Sequence, residues 1–280
     1  MSLTQSEKAV RFRALHVAPG TFVMPNPWDA GSARMLASLG FPALATSSSA
    51  SAGTLGRQDY GLTRDLALAL ARAMVEAVDV PVSADLEDGF GVAPEVVGET
   101  VQLAAGLGLA GCSIEDAPGG APAHDLNLAT ERIAAAAEAV RGLPFPFVLT
   151  ARAENFLRGK PDLDDTIIRL QAYERAGADV LFAPGVSDLG AIRTLCSALK
   201  KPVNVIAGGK AGSPSIAELA AAGVKRISLA TSLYRAAMTA LRDAALEVRD
   251  RGTFGYGERA MVGTELGAVM RASSANTGVA

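Results

Sequence analysis

Residues 81–116 read PVSADLEDGFGVAPEVVGETVQLAAGLGLAGCSIED, and this stretch contains two short apolar runs separated by one helical segment. The runs Pro81–Asp85 and Gly111–Glu115 have the length and composition of buried strands. Residues 94–107 between them favour a helix, and the glycines of the Gly108-Leu109-Ala110-Gly111 turn are typical of a helix end. The stretch therefore predicts a strand, a helix and a second strand of one parallel sheet.

The same alternation continues along the chain from residue 22 onward. The predicted strands are Phe22–Pro25, Pro42–Thr46, Pro81–Asp85, Gly111–Glu115, Phe147–Ala151, Val180–Ala183, Val203–Ala207 and Arg226–Ala230. Helices are predicted near 29–39, 64–78, 94–107, 128–141, 163–176, 187–199, 214–222 and 232–249. Eight units and a length of 280 residues predict a (β/α)₈ TIM barrel of the α/β class. We expect one domain over residues 1–280, including an N-terminal helical segment (1–20) and a C-terminal helical tail (250–280).

Composition and charge exclude several classes of function. A net charge of -3 with interspersed signs provides no basic stripe for a nucleic acid. The first twenty residues lack the apolar core of a signal peptide, and no apolar run reaches the length of a membrane span. Two cysteines, Cys112 and Cys196, are too few for a disulfide framework and match no zinc pattern. We therefore expect a cytoplasmic protein that acts on a small molecule, without a nucleic-acid or membrane partner.

Acidic residues follow two neighbouring strands of the predicted barrel. Asp85 and Glu87 lie at the end of the third strand, and Glu115 lies at the end of the fourth, where barrel enzymes carry their chemistry. Three carboxylates at one place repel unless a cation balances them, and oxygen ligands without His or Cys suit Mg²⁺ or Mn²⁺. The alternative is that they are solvated loop acids or helix caps. For Asp88 and Asp116 the structural interpretation is favoured.

Three further residues are candidates for contact with the substrate or for proton transfer. Arg152 ends the fifth strand close to the acids, so it could hold a substrate carboxylate or form a salt bridge with Glu154 or Glu115. Asn204 points into the barrel and either touches the substrate or joins the barrel layers. His124, in a Pro/Gly-rich loop, could serve as an acid or base or be an ordinary loop residue.

Five motifs in this order resemble the isocitrate lyase and phosphoenolpyruvate mutase superfamily, in particular a subgroup that lacks the lyase cysteine. They are PNPWDAGSA (25–33), TSSS (46–49), ADLEDGFG (84–91), IED (114–116) and ARAE (151–154). The resemblance spans nearly the whole chain. It implies that Mg²⁺ stabilises a pyruvate-like enolate while a C–C or C–P bond at the adjacent carbon is made or broken.

The resemblance also implies roles for individual residues. Asp85 would contact the metal and face the substrate, with Glu87 and Glu115 in the outer shell of the ion. Ser47 and Ser48 would bind the substrate carboxylate, partly through backbone N–H groups, and Arg152 would hold the other end of the substrate.

Two more positions follow from the same resemblance. Trp28, in the first motif, is expected to contact the substrate. Asp59 lies in a Gly-flanked loop (56–61) where family members carry a mobile lid with an acid, and its closure would exclude water. The alternative for Asp59 is an exposed loop acid.

The chain departs from the family at two places. Residues 117–126 (APGGAPAHDL) lack the catalytic cysteine of the C–C lyases, and residues 182–185 (FAPG) offer neither the Glu of those lyases nor the His of the phosphonate enzymes. The remaining groups favour an Mg²⁺-dependent lyase with a simpler reaction, such as decarboxylation or retro-aldol cleavage of a 2-oxo or 2-hydroxy dicarboxylic acid.

Several alternatives stay open. They are C–P chemistry on phosphonopyruvate or phosphoenolpyruvate, and a catalytically weak relative that binds a 2-oxo acid. A Schiff-base aldolase would depend on Lys210, which is disfavoured because it lies in a Gly loop beyond its strand. The loop at 208–213 is a weaker candidate for phosphate binding. The family usually forms tetramers through its last helix, so we expect a homo-oligomer, either a dimer or a tetramer.

Overall fold

A computed structural model describes residues 3–209 and 212–271, and it contains one sheet of eight parallel strands. The strands are β1 (Phe22–Met24), β2 (Leu44–Ala45), β3 (Val82–Asp85), β4 (Gly111–Glu115), β5 (Val148–Arg152), β6 (Val180–Phe182), β7 (Val203–Ile206) and β8 (Arg226–Ser228). Their order is β1-β8-β7-β6-β5-β4-β3-β2. At the seam between β1 and β2, the backbone N–H of Ala45 donates to the Pro25 carbonyl at 3.1 Å. The barrel is nearly closed, and the predicted TIM-barrel fold is confirmed.

Helices surround this sheet and follow the predicted alternation. They are α1 (Gln5–Val17), α2 (Ala30–Ser38), α3 (Ser48–Thr54), α4 (Arg64–Ala77), α5 (Pro94–Ala105), α6 (Leu126–Arg141), α7 (Leu163–Ala176), α8 (Leu189–Ala198), α9 (Ile216–Ala221), α10 (Ser232–Arg251) and α11 (Gly263–Arg271). A short 3₁₀ helix covers Gly255–Arg259. The sequence did not predict α3, because its small polar residues carry no apolar repeat. Ser47 begins it by accepting a hydrogen bond from the Ala50 N–H at 3.3 Å.

Strand β5 shows how the fold positions functional side chains. Leu149 and Ala151 are fully buried in the core between sheet and helices. Successive side chains of a strand point to opposite faces, so Thr150 and Arg152 face the barrel interior. Accordingly, Thr150 bonds a side chain of β8 across the barrel, and Arg152 bonds Asp85. The period of two thus places polar groups inside the barrel in layers.

The C-terminal tail packs against its own barrel in this structure. Helix α11 contacts α2, and the Arg34 guanidinium donates to the carbonyl of Met270. Packing of the tail on another subunit stays a prediction. Residues 272–280 of the predicted tail, and Lys210 of the aldolase and phosphate hypotheses, lie outside the described residues. Within the described ranges, no helix combines the length and apolarity that a membrane crossing demands.

Candidate active site

A cavity of about 240 Å³ opens at the carboxyl ends of the strands, where the sequence predicted the site. Its walls bring together most of the predicted residues. Those that line it are Ser47, Ser48, Asp59, Asp85, Glu115, Arg152 and Asn204. Barrel topology explains this convergence, because parallel strands end at one rim of the sheet.

Asp85 joins the two sides of this cavity. Its Oδ2 accepts hydrogen bonds from the backbone N–H of Ser48 at 3.2 Å and from the Ser48 hydroxyl at 3.0 Å. Its Oδ1 accepts from the Arg152 guanidinium at 3.2 Å, and Thr46 Oγ1 accepts from the Asp85 backbone N–H at 2.9 Å. Asp85 is therefore held in one orientation by β2, α3 and β5.

Arg152 distributes its charge over three carboxylates. Its Nε lies 2.8 Å from Glu154, and its two terminal nitrogens lie 3.2 Å from Asp85 and 3.0 Å from Glu115. The guanidinium also stacks over the Phe182 ring, 5.1 Å from the ring centroid. Both salt bridges considered from the sequence are thus present, and Arg152 still lines the cavity. The guanidinium spreads its donors over three separate nitrogens, so each of the three acids has its own nitrogen.

Glu87 is a buried acid next to the cavity. Its residue is 4% exposed, and its Oε1 has no hydrogen-bond partner in the described part of the chain. Burial, together with the carboxylate of Asp85, raises the pKa of Glu87 to about 8. Its φ of 50° lies in the left-handed region, which is strained for a residue with a side chain. Glu87 does not line the cavity itself.

The charges at the mouth fit a divalent cation. The acids there are Asp59, Asp85, Glu87, Glu115 and Glu154. Among the residues that the structure describes, the basic side chains that pair with these acids are Arg152 and Arg158. This surplus of oxygen donors, with an unpartnered oxygen on Glu87, suits Mg²⁺ or Mn²⁺. Among the described residues, however, no three metal-binding side chains converge on one point. Arg152 lies between Asp85 and Glu115 and occupies one oxygen of each.

Tyr60 and Arg158 belong to the site but were not predicted. The Tyr60 hydroxyl donates to Glu115 Oε2 at 3.0 Å and accepts from the Arg158 guanidinium, which also lies 3.3 Å from Glu115. Burial raises the pKa of Tyr60, so the phenol stays protonated. Its ring packs on Gly119, where a Cβ would come within 2.9 Å of the ring. Tyr60 and Arg158 come from separate loops, so no sequence spacing could have revealed their contact.

Asp59, beside Tyr60, occupies the rim of the cavity. The residue is exposed, yet its side chain lines the opening. Partial burial at the rim and the nearby Asp85 carboxylate raise the pKa of Asp59. An acid at this position can hold a proton closer to neutral pH than an ordinary aspartate.

Two of the predicted substrate or proton-transfer residues lie outside the cavity lining. Trp28 precedes α2 and packs edge to face on Tyr234, with ring centroids 5.4 Å apart. His124 folds back beneath the mouth, where its backbone N–H donates to the Asp116 carbonyl at 2.8 Å and its Nε2 has no partner in the described ranges. Asp116 itself accepts from the Tyr173 hydroxyl at 2.6 Å, in agreement with its structural interpretation. Roles for Trp28 and His124 in the reaction stay predictions.

Asn204 agrees with the structural alternative raised by the sequence, and its contact with a substrate stays a prediction. It lines the cavity, and its amide joins β7 to β8 by donating to Ser228 Oγ at 3.0 Å and accepting from Arg226 Nε at 3.0 Å. Its side chain is therefore oriented by the barrel interior before any substrate arrives.

A (β/α)₈ barrel with acids on β3 and β4 and an arginine on β5 has the architecture implied by the superfamily resemblance. Residues 12–249 match the family described as phosphoenolpyruvate phosphomutase. The chain belongs to this family, within the superfamily that also contains isocitrate lyase. The match over residues 12–249 confirms the predicted membership. The members of this superfamily cleave C–C or C–P bonds as lyases or mutases.

Individual relatives cover most of the chain. A protein of known structure from Burkholderia cenocepacia J2315, provisionally assigned as a lyase/mutase, is 51% identical, with a TM-score of 0.92 and coverage of 94% of this chain and 95% of that one. The 2-methylisocitrate lyase of Escherichia coli K12 is 30% identical over 265 residues, covering 90% and 88%. The oxaloacetate decarboxylase of Ectopseudomonas mendocina ymp is 30% identical over 247 residues, covering 85% and 83%.

Proposed function

We propose that this protein is an Mg²⁺-dependent lyase, with Mn²⁺ as an alternative ion, that cleaves a C–C bond in a small 2-oxo or 2-hydroxy dicarboxylic acid. The observation that carries the proposal is the cluster of Ser48, Asp85 and Arg152 in one cavity at the barrel mouth. Arg152 and Ser48 can recognise an anionic substrate, and the carboxylates around them can bind a divalent cation.

Different residues around the cavity would bind the substrate and the metal. Arg152 is preorganised by its three acids to hold a substrate carboxylate, and the hydroxyls of Ser47 and Ser48 lie at the same opening. Asp85 would contact the metal, with Glu87 and Glu115 further out. When bound there, Mg²⁺ supplies positive charge that stabilises negative charge developing on the 2-oxo group.

Loss of carbon dioxide is the reaction that the available groups favour. In decarboxylation the C–C bond breaks, carbon dioxide leaves, and the electron pair remains on the neighbouring carbon, which then takes up a proton. The step therefore needs no acid at the leaving group, in accord with the absence of the lyase cysteine from residues 117–126. Asp59, which lines the rim of the cavity and whose pKa is raised by burial and by Asp85, is the candidate donor. Of the two named relatives, oxaloacetate decarboxylase fits this reaction, whereas 2-methylisocitrate lyase supports only the wider class of C–C bond cleavage.

Turnover of defined acids tests the proposal. Purified protein, with Mg²⁺ or with EDTA, is offered oxaloacetate, methylisocitrate, isocitrate, 4-hydroxy-2-oxo acids and phosphonopyruvate, and release of pyruvate, glyoxylate, succinate or phosphate is measured. Asp85→Asn should lower kcat/KM by about 100-fold or more, because it removes a charge at the reacting group. Asp88→Asn is the matched control, since Asp88 lies in the same loop but outside the cavity.

Each outcome distinguishes one alternative. Metal-dependent release of pyruvate, lost in Asp85→Asn and kept in Asp88→Asn, supports the lyase. Phosphate release from phosphonopyruvate would replace it with C–P chemistry. Tight binding of 2-oxo acids without product would identify a binding protein instead.

We also propose a cytoplasmic homo-oligomer, either a dimer or a tetramer. Helix α10 has no buried residue, and its apolar side chains Met238 and Leu241 are exposed in the single chain. Such a face is typical of a subunit interface. Light scattering of the purified protein would determine the number of subunits, and a monomer would contradict the proposal.

A further inference from the structure

Arg226 is a buried arginine on the floor of the cavity. It is the first residue of β8 and is only 3% exposed. Its guanidinium bonds Thr150, which comes two residues before Arg152 on β5, and lies against His16 of α1, so it lies deeper in the barrel than the guanidinium of Arg152. Arg226 nevertheless lines the same cavity as Arg152 and Asp85. The cavity thus has acids at its mouth and a cation at its base.

The hydrogen-bond partners of Arg226 are all neutral. Its Nε donates to Asn204 Oδ1 at 3.0 Å, and one terminal nitrogen donates to Thr150 Oγ1 at 2.9 Å. The other terminal nitrogen lies 3.2 Å from His16 Nε2. His16 Nδ1 lies 2.8 Å from the Phe12 carbonyl, which assigns the ring proton to Nδ1 and leaves Nε2 as an acceptor.

These contacts leave the charge of Arg226 without a counter-ion. Within the described ranges, Arg226 forms no ion pair, whereas Arg152 contacts three carboxylates. An arginine has five N–H groups, so one on each terminal nitrogen has no acceptor here. Burial without a nearby acid lowers the pKa of Arg226 to about 9. An unpaired buried cation is costly, and an arriving anion would relieve that cost.

We propose that Arg226, with the amide of Asn204, forms an anion subsite on the cavity floor that binds the distal carboxylate of the substrate. The inference rests on the proposed function for the opposite end of the substrate, at Arg152. Thr150 holds Arg226 and lies two residues from Arg152 on β5, a rise of about 6.6 Å along the strand. A short carbon chain with an acid group at each end spans such a distance. The acids at the mouth repel the second carboxylate toward the floor.

A pair of ligands that differ in one charge tests this subsite. Malate and its 4-monoamide have the same 2-hydroxy acid end, and only malate has the distal carboxylate. Calorimetry with the full-length wild-type protein and Mg²⁺ should show malate binding about 10- to 100-fold more tightly, as expected for a charge-assisted hydrogen bond. Arg226→Gln should abolish this preference and leave the affinity for oxalate, which fills only the mouth, within about threefold.

A matched variant separates the subsite from general damage. Arg132 is equally buried and also bonds neutral acceptors, the backbone carbonyls of Gly91 and Val92, but it lies outside the cavity. Arg132→Gln should keep the preference for malate over its amide, whatever its effect on stability.

Several results would overturn the subsite. They are equal affinity of the wild type for both ligands, no binding of either, a preference retained in Arg226→Gln, or an equal loss of oxalate binding in that variant. The wild-type comparison decides the matter even if Arg226→Gln does not fold. Absence of turnover with the preference intact would refute the proposed reaction and support the subsite.

Discussion

Replacement of Arg152 by lysine tests whether the three-way ion pair at the mouth is essential. Arg152 is 9% exposed and contacts Asp85, Glu115 and Glu154 through three different nitrogens. A lysine has one nitrogen and keeps about one of these contacts. Each charged hydrogen bond is worth about 1.5–3 kcal/mol, so two lost contacts correspond to roughly 3–6 kcal/mol. Hydration and protonation of the carboxylates that lose their partner offset part of this loss. We expect Arg152→Lys to lower the free energy of unfolding by about 3 kcal/mol and kcat/KM by about 100-fold.

Urea unfolding gives the stability change, and metal-dependent turnover of oxaloacetate, with oxalate affinity as a second measure, gives the functional change. Arg169→Lys is the matched control, because Arg169 also joins two carboxylates, Asp116 and Asp165, but lies outside the cavity. It should lose stability without losing oxalate affinity. Wild-type turnover and affinity in folded Arg152→Lys, or an equal loss of both in the two variants, would show that the three-way ion pair is not essential.

Three further predictions concern two tyrosine hydroxyl groups and one histidine. Tyr173→Phe removes the 2.6 Å hydrogen bond to the carboxylate of Asp116, so denaturant unfolding should show a loss of about 1.5–3 kcal/mol, and an unchanged midpoint would contradict this role. Burial, followed by the Arg226 charge, lowers the pKa of His16 to about 3, below the value near 6.5 expected in the unfolded chain. The unfolded state therefore binds the extra proton below about pH 6.5, and stability falls as the pH decreases toward 3. Between pH 7 and pH 5 the contribution of His16 amounts to a loss of about 2 kcal/mol. It should appear as the difference between the wild type and His16→Gln in the pH dependence of unfolding, because the raised pKa of Glu87 acts in the opposite direction in both proteins; an identical pH dependence of the two proteins would contradict it. Tyr60→Phe should lower kcat/KM about tenfold, because its hydroxyl orients a carboxylate at the mouth; equal rates would exclude that role.

Local patterns in the sequence determined the barrel and the core of its site. Short apolar runs alternate with helical segments eight times, and few folds other than a closed parallel barrel accommodate eight such units. The period of two along a strand then directs Asp85, Glu115 and Arg152 to one opening. These positions depend on strand geometry alone, so they could be predicted.

Which loop residues line the cavity was harder to predict, for a physical reason. A loop takes its conformation from the surfaces on which it packs, and those surfaces are distant in sequence. Trp28 turns toward Tyr234, and His124 folds onto the backbone of Asp116, so neither lines the cavity. The motifs could indicate that these residues were near the strand ends but not the direction of their side chains.

Only the tertiary structure decided how the charges are paired. Tyr60 meets Glu115 across 55 residues of sequence, and Arg226 meets Thr150 across 76. Such contacts depend on which strands are neighbours and on how deep each side chain lies, and neither is encoded in local spacing. The sequence by itself determined the barrel and the residue types at its mouth. Folding decided that the acids there share Arg152 and that Arg226 on the floor has no acidic partner among residues 3–209 and 212–271. Electrostatic pairing depends on distance and burial rather than on order along the chain.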